Sequence, residues 1–480
     1  MHNNPRAREL LTPDEMARVD AASPGLGVPG YRLMENAGRA VVRAIQARIR
    51  PCRTLVLCGP GNNGGDGYVV ARMLAQEGWP ITVAGLGAPR AGSDAALARA
   101  RWDGINVPFT KQEVARSDLV IDAVFGAGLS RDLDPGLVQM LRAAGRLVAV
   151  DVPSGLDGAT GAVRGYAPQA TLTVTFFRLK PGHLLLPGRD LCGETVLADI
   201  GMPAGVLNAV QPRAFRNEPG LWELPALATD AHKYARGHVT IMGGAEMTGA
   251  ARFAADTARR AGSGLVTIAA AGAAAIYRAG SPGTLVSEAP LADLLADRRR
   301  TVWVCVPGFG PAVARSIWPD LIAAGREVVG DADVFTAFAG KPDALHGAAV
   351  LTPHAGEFAR VFGPIEVDRV AAVRAAAMRT NAVVLLKGAD TIIARPDGMV
   401  AINASAPPWL ATAGAGDVLA GLIAGLLAQG MNAWEAASAG AWLHGRAAME
   451  VGPGLIAEDL ANALPLAFAA AEEATRAGRV

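Results

Sequence analysis

Two stretches of this sequence set groups that bind phosphate, ribose or a cation beside groups that move protons. The first, Cys58-Gly59-Pro60-Gly61-Asn62-Asn63-Gly64-Gly65-Asp66-Gly67, follows an apolar run and precedes the helix-compatible YVVARMLAQ. Gly59, Gly61 and Gly64 fit G-x-G-x-x-G literally, the spacing of a dinucleotide-binding turn. The acid that would hold the ribose about 20 residues further on is missing, because ITVAGLGAPR contains neither Asp nor Glu. An orthodox hydride-transferring domain is therefore disfavoured. The stretch concentrates oxygen instead: Asn62, Asn63 and Asp66 suit ribose, phosphate or a hard cation, although Asn and Gly also populate turns for backbone reasons alone. Nearby runs carry acids at their ends. LVIDAVFG (119–126) sets Asp122 inside an apolar stretch, and VAVDVPSGLDG (148–158) closes one with Asp151 and Ser154. A carboxylate buried there needs a cation or a hydroxyl beside it, unless it only bonds loop amides.

The second stretch is Ala411-Thr412-Ala413-Gly414-Ala415-Gly416-Asp417-Val418-Leu419-Ala420-Gly421, a small-residue turn opening the apolar LAGLIAGLLAQG. Unpaired N–H groups and the positive end of a helix dipole suit a phosphoryl group in transfer. Asp417 at that helix start suits a base toward a substrate hydroxyl, and an aspartate that merely caps a helix has the same sequence. Lys387-Gly388-Ala389-Asp390-Thr391 is a turn suited to a nucleotide, and TPHAGEF (352–358) supplies His354 and Glu357. Glu357 suits orienting hydrated Mg²⁺ through water. Taken singly, each of these has an ordinary explanation as a turn or a satisfied polar side chain.

Strands and helices must position these groups. Thr12-Pro13-Asp14-Glu15 predicts a helix start by capping box, and YRLMENAGRAVVRAIQARI a second helix. The apolar runs TLVLC (54–58), ITVAGL (81–86), LVIDAVFG (119–126) and RLVAVDVP (146–153) then alternate with helix-compatible segments, the pattern of a parallel sheet covered on both faces. The pattern weakens between about Pro203 and Ala228 and restarts with HVTIMGG (238–244), LVTIAAAG (265–272), TVWVCVPGFG (301–310), GAAVLTPHAG (347–356) and AVVLLKGADTIIARP (382–396). At 480 residues the chain exceeds the roughly 250–300 at which a single core stops growing, so two α/β domains are expected, 1–215 and 216–480. Lys and Arg total 45 against 44 Asp and Glu, with no long run of either sign. Nucleic acid and membrane are accordingly not expected as partners. Cys52, Cys58, Cys192 and Cys305 lack metal-site spacing and are expected to be reduced and buried. The opening segment has no signal-peptide pattern and no apolar run reaches about 18 residues, so a cytoplasmic location is expected.

MENAG (34–38), NNGGDG (62–67), the Asp122 run, GAGLSRD (126–132) and DVPSGLDG (151–158) together resemble the NAD(P)H-hydrate epimerase family over about residues 9–212. The resemblance implies a Rossmann-like three-layer domain in which Asn62, Asn63, Gly64, Gly65 and Asp66 line the dinucleotide. Gly126, Ala127, Gly128 and Leu129 would line it from the next loop, with Ser130, Arg131 and Asp132. It further implies that Asn63, Asp122 and Ser154 hold K⁺ and that Asp151 contacts the reacting ring. Hydrated NAD(P)H carries a hydroxyl on C6 beside the ring nitrogen, whose lone pair can expel it; water then returns to either face. Such an exchange needs a carboxyl to protonate the leaving oxygen and later deprotonate water, the role expected of Asp151. Lys180 in FFRLKPG is either a site residue or a solvated lysine.

HKYARGHVTIMGGAEMTGAARFAA (232–255), PGFGP (307–311), DADVF (331–335), TPHAGEF, KGADT and GAGDVLAG resemble the ADP/ATP-dependent NAD(P)H-hydrate dehydratases of the ribokinase-like superfamily over about residues 220–475. By that resemblance Ala250, Gly310, His354 and Asp417 contact the hydrate, while Lys387, Gly388, Ala389, Asp390, Thr391 and Gly416 contact ADP with its Mg²⁺. The implied reaction phosphorylates the C6 hydroxyl of the S epimer and loses phosphate, leaving AMP. ADP and ATP are not distinguished by these motifs, although bacterial relatives generally use ADP, and the family's tendency to assemble implies a homo-oligomer. Ala413 and Ala415 depart from the glycine-rich pattern and would be strained if either needed a positive φ. Three other readings remain at this point: a related small-molecule kinase fused to a ligand-binding domain, a non-catalytic N-terminal sensor or assembly surface, and the disfavoured oxidoreductase.

Overall fold

A computed structural model of the protein describes residues 7–226, 228–270, 272–305 and 308–479, so Val306 and Pro307 of the PGFGP segment and Ala271 lie outside it. The chain divides into two compact units, Met1–Ala214 and Phe215–Val480. Among the described residues no helix is long and apolar enough to cross a membrane. Cys58, Cys192 and Cys305 are buried, Cys52 is half-buried, and all four are free thiols.

In the first unit the strands lie in the order Ile105–Asn106, Ile81–Gly85, Thr54–Cys58, Leu119–Ala123, Leu147–Val150, Leu172–Phe176 and Glu194–Ala198, all parallel. The order reverses between Thr54–Cys58 and Leu119–Ala123, which makes a topological switch point where a crevice must open at the carboxyl ends. The loops leaving these two strands nearly touch. Gly59 N–H donates to the Ala123 carbonyl at 3.0 Å, and a Cβ on Gly59 would sit 1.9 Å from the Val124 carbonyl oxygen. The capping box forms as Thr12 accepts from Glu15 N–H at 3.3 Å and Glu15 accepts from Thr12 N–H at 2.8 Å, starting the helix Pro13–Ala22. The NNGGDG segment differs from expectation. It is the first turns of the helix Asn62–Gln76, because Gly64 and Gly65 let the helix start press against Gly59 and Met34.

In the second unit the strands run in the order Val400–Asn403, Thr391–Ala394, Val383–Leu386, Val350–Leu351, Glu327–Gly330, Val302–Cys305, His238–Gly243, Leu265–Ala270 and Leu285–Ser287. From Val383–Leu386 onward the pairing is parallel, with its switch point at His238–Gly243. The run 382–396, which alternation reads as one strand of a parallel sheet, is an antiparallel hairpin turning at 387–390. Polar residues of that turn interrupt two apolar halves, each short enough to be a strand of its own. The helix Ala415–Ala428 is buried along nearly its whole length and packs on the helix Thr248–Arg260. Small residues permit the approach: a Cβ on Gly421 would lie 2.2 Å from the Ala254 carbonyl oxygen. Gly414, with φ 88°, takes the left-handed position before this helix. Neither Ala413 nor Ala415 has a positive φ, so the departure from a glycine-rich loop is unstrained. Phe335 is fully buried in the core.

Filling that helix contact tests the packing. Gly421→Val is expected to destabilise the second unit by about 1–3 kcal/mol through overpacking, lowering its urea midpoint; an unchanged midpoint would mean the helices are not in this close contact.

Candidate active sites

At the switch point of the first unit lies a cleft of about 810 Å³. Asn62, Asn63, Asp66, Asp151 and Lys180 line it, with the whole of Gly126 to Arg131. Gly64 and Gly65 are buried behind the helix start, and Asp132 is exposed beyond the lining segment. Asp122 and Ser154 do not reach the cleft either. Asp122 is fully buried: its Oδ1 accepts from Ser154 Oγ at 2.6 Å and Val124 N–H at 3.2 Å, and its Oδ2 from Ser154 N–H at 2.8 Å. Ser154 Oγ also accepts from Phe125 N–H at 2.9 Å. The Asn63 amide, oriented by its neighbours, donates to the Val150 carbonyl at 3.1 Å and accepts from Gly126 N–H at 3.3 Å.

Asp151 follows the strand Leu147–Val150 in a left-handed conformation, φ 68°, which is costly for a residue with a Cβ. His183 holds it there. Lys180 N–H donates to His183 Nδ1 at 2.9 Å, so the ring proton sits on Nε2 and faces the Asp151 carbonyl, also at 2.9 Å. Burial and the neighbouring Lys180 push His183 down to about 4, keeping the ring neutral. The Asp151 carboxyl is saturated with donors: Oδ1 accepts from Lys180 Nζ at 2.6 Å and Thr175 Oγ1 at 2.9 Å, and Oδ2 from Ala127 N–H at 2.9 Å. Burial pushes Asp151 up, but the charge and hydrogen bond of Lys180, with the Ala127 amide, bring it down to about 2.

Two expectations change. Asp151, paired with Lys180 and lowered to about 2, is held in its anionic form, which suits facing positive charge better than donating a proton. Lys180 is only 2% exposed, which removes the solvated-lysine alternative. The sequence analysis did not single out Thr175, His183 or Asp20. Asp20 lines the cleft from the helix Pro13–Ala22. His183 was findable by its spacing from Lys180, whereas an acid on an outward helix face has no such signal.

In the second unit the ends of four neighbouring strands converge. Lys387 Nζ lies 2.7 Å from Asp331 Oδ1 and 3.8 Å from Glu357 Oε2. A Cβ on Gly416 would lie 3.4 Å from that Nζ, which puts the first turn of the helix Ala415–Ala428 against the same cluster. Burial pushes Lys387 down, but Asp331, Glu357 and Asp417 raise it above the ordinary lysine value. Asp417 is pushed up to about 7 by burial and by Asp331, against the pull of Lys387. Such a group is half ionised near neutrality and suits a base. Glu357 is tied down by His354 N–H at 2.8 Å, while His354 Nδ1 accepts from Gly356 and Glu357 at 3.0 and 3.3 Å to cap its helix.

Other expected residues sit differently. Ala250 is a core residue of the helix Thr248–Arg260. Gly310, φ 84°, precedes the helix Pro311–Ala323, and its N–H and that of Gly308 both donate to Asp333 Oδ2 at 3.0 and 2.9 Å. Thr391 Oγ1 donates to the Gly388 carbonyl at 2.8 Å, closing the turn. Asp390 is buried in an ion pair with Arg369. Asp331 and Asp333 organise the site, though only as letters of DADVF did the sequence mark them.

Comparison with known proteins finds relatives for both units. A family profile described as NAD(P)H-hydrate dehydratase matches residues 239–464, and one described as YjeF-related protein N-terminus matches residues 30–182. The chain is 37% identical to a bifunctional NAD(P)H-hydrate repair enzyme of Moorella thermoacetica, over 97% of each chain. It is 34% identical to that of Methanothermobacter thermautotrophicus, over 95% of each. A solved ADP/ATP-dependent NAD(P)H-hydrate dehydratase from Bacillus subtilis, co-crystallised with ATP/Mg²⁺, is 25% identical over 52% of this chain and 94% of its own, with a TM-score of 0.45.

The buried pair in the first unit makes a checkable demand. Lys180→Met strands a buried carboxylate and is expected to destabilise the first unit by about 3–5 kcal/mol at pH 7. Because Asp151 titrates below its ordinary 3.8, the stabilisation is complete above that value and is lost as pH falls through about 2. The gap in thermal midpoint between wild type and variant should therefore narrow once the pH falls below Asp151's ordinary 3.8, and a gap that stays constant there would count against the pairing.

Proposed function

The chain belongs to the family of bifunctional NAD(P)H-hydrate repair enzymes, and from that membership we propose how its two units share the work. The enzyme interconverts the R and S epimers of hydrated NADH or NADPH and dehydrates the S epimer at the expense of ADP. Epimerisation belongs to residues 1–215, in the cleft between the helix start at Asn62 and the Gly126–Arg131 loop. Dehydration belongs to residues 216–480, around Asp417. The observation that carries this reading is the Asp417 carboxyl, held near a pKa of about 7 in the first turn of a buried helix and beside Lys387.

In the second unit Asp417 takes the proton from the C6 hydroxyl, and the freed oxygen attacks the terminal phosphorus of ADP, releasing AMP. The N–H groups of Gly416 and its neighbours face the charge on the phosphoryl oxygens, and Lys387 supplies a fixed cation. The ring nitrogen then expels phosphate to leave an iminium, and loss of a proton from C5 restores the dihydropyridine. Phosphorylation turns hydroxide, a poor leaving group, into a good one. Among the described residues no group of three or more His, Cys, Asp or Glu could hold a metal ion. Mg²⁺ would come as a companion of the nucleotide phosphates, and Glu357 would hold it through water.

In the first unit the anionic Asp151 faces the positive charge that develops on the ring when C6 loses its hydroxyl, and Lys180 and Thr175 hold it in place. K⁺ fits the oxygen set of Asn63, Asp122 and Ser154: the Asp122 carboxylate is enclosed, its donors are all uncharged, and among the described residues no basic side chain pairs with it. When bound there, the ion would offset that buried charge.

Mixed epimers of hydrated NADH incubated with the protein and ADP should convert completely to NADH, followed by absorbance. A stable phosphorylated product would instead favour a small-molecule kinase. Asp417→Asn should abolish dehydration and leave epimerisation intact. The same substitution should raise thermal stability at pH 8, because a carboxyl whose folded pKa lies near 7 rather than 3.8 costs stability as pH rises between those values. Retained dehydration, or a variant no more stable at pH 8, would remove Asp417 from this role.

A further inference from the structure

Epimerisation needs a proton on the departing hydroxyl, and the carboxylate nearest the reacting ring in this scheme has none. Five more ionisable groups line its cleft, and of these Lys180, Asp66 and Asp20 interact electrostatically with Asp151. Lys180 is committed to Asp151 and Thr175, at 2.6 and 2.8 Å. Asp66 and Asp20 remain, and among the described residues no N–H or O–H donates to either carboxyl. A carboxyl without donors keeps its proton more readily than one with three.

The two differ in access. Asp66, in the second turn of the helix Asn62–Gln76, is half-buried in the cleft wall and pushed well above the ordinary carboxyl value by burial and by Asp151 and Asp20, which favours its protonated form. Asp20 stands on a different element, the helix Pro13–Ala22, and is open to the cleft. Its carboxyl is therefore accessible to a ligand and to water in the cleft.

We propose that Asp20 is the proton-carrying catalytic residue of the epimerase site, working opposite an Asp151 that stays ionised throughout. This rests on the reading of the first unit as the epimerase. The Asp20 carboxyl passes its proton to the C6 oxygen, the C6–O bond breaks with its electron pair leaving in water, and the nitrogen lone pair forms the iminium. Water then adds to the opposite face of C6, its oxygen forming the new bond and its proton returning to Asp20. Nothing is oxidised or reduced. Desolvation, opposed by Lys180 and reinforced by Asp151, sets Asp20 at about 6, so a working fraction carries the proton near neutrality. The charged groups facing it are Lys180, Asp151 and Asp66; Asp94 and Arg131 also line the cleft.

The test uses the full-length protein, a single purified epimer of hydrated NADH and no ADP, with conversion followed by chromatography between about pH 5 and pH 8 and the uncatalysed rate subtracted. Wild type should lose kcat as pH rises through the Asp20 titration. Asp20→Asn should lose about 100-fold or more in kcat with KM within about threefold, and its residual rate should lack that fall-off. Asp20→Glu should recover part of the rate, and dehydration of the S epimer with ADP should persist in both variants. An Asp20→Asn protein as fast as wild type, or slow with the same fall-off, overturns the inference alone, as does loss of the fall-off in Asp66→Asn instead. A wild-type protein without epimerase activity would overturn both the inference and the reading beneath it.

Discussion

A carboxylate taken out of water must collect hydrogen-bond donors and positive charge, or else keep its proton. Both units of this protein are arranged around that constraint. In the first, Asp151 gathers Lys180, Thr175 and the Ala127 amide and is held as an anion, while Asp20 and Asp66 gather no donor among the described residues. In the second, Lys387 stands among Asp331, Glu357 and Asp417, and most of its compensation goes to Asp331 at 2.7 Å. Asp417 is left undercompensated, which is what a base working near neutrality requires. Neighbouring acids thus differ in proton affinity because donors are shared out unequally among them.

Sheet topology decides where this sharing happens. A parallel sheet sends all its strand ends to one edge, and reversal of strand order opens a crevice there. In each unit the helix that starts at that edge carries a glycine where a Cβ would strike backbone: Gly64, in the first turn, against Gly59, and Gly421, midway along its helix, against Ala254. These close approaches keep the helix starts, with their open N–H groups, within reach of the acids. The Asp151 backbone, twisted to φ 68° and bridged to His183, is the local strain accepted to aim one side chain into the cleft.

Pairing the two sites on one chain has a chemical logic. A dehydratase that accepts one epimer leaves the other stranded, and an epimerase beside it returns that material to use. The two chemistries also ask opposite things of an acid, since one stabilises a cation and the other removes a hydroxyl proton.

Much was legible before any coordinates. Alternating apolar runs marked the principal strands, the capping box at Thr12 marked a helix start, and small-residue turns beside Asp66 and Asp417 marked two places for phosphate chemistry, because these features depend on a residue and its near neighbours in the chain. The short strands Ile105–Asn106 and Leu285–Ser287 escaped notice for lack of length, Leu172–Phe176, Glu194–Ala198, Glu327–Gly330 and Val400–Asn403 were also not marked, and the hairpin at 387–390 was hidden because apolar runs do not state their direction. Protonation was out of reach altogether. Lys180 reaches Asp151 from 29 residues away, Asp20 comes to the same cleft on a different helix, and Asp331 finds Lys387 across 56 residues. A carboxyl's proton affinity follows from the donors and charges that folding brings around it, and the order of residues along the chain does not contain those distances. The sequence by itself determined which acids and lysines were present and on which kind of element; only the tertiary structure decided which acid keeps a proton and which gives it up.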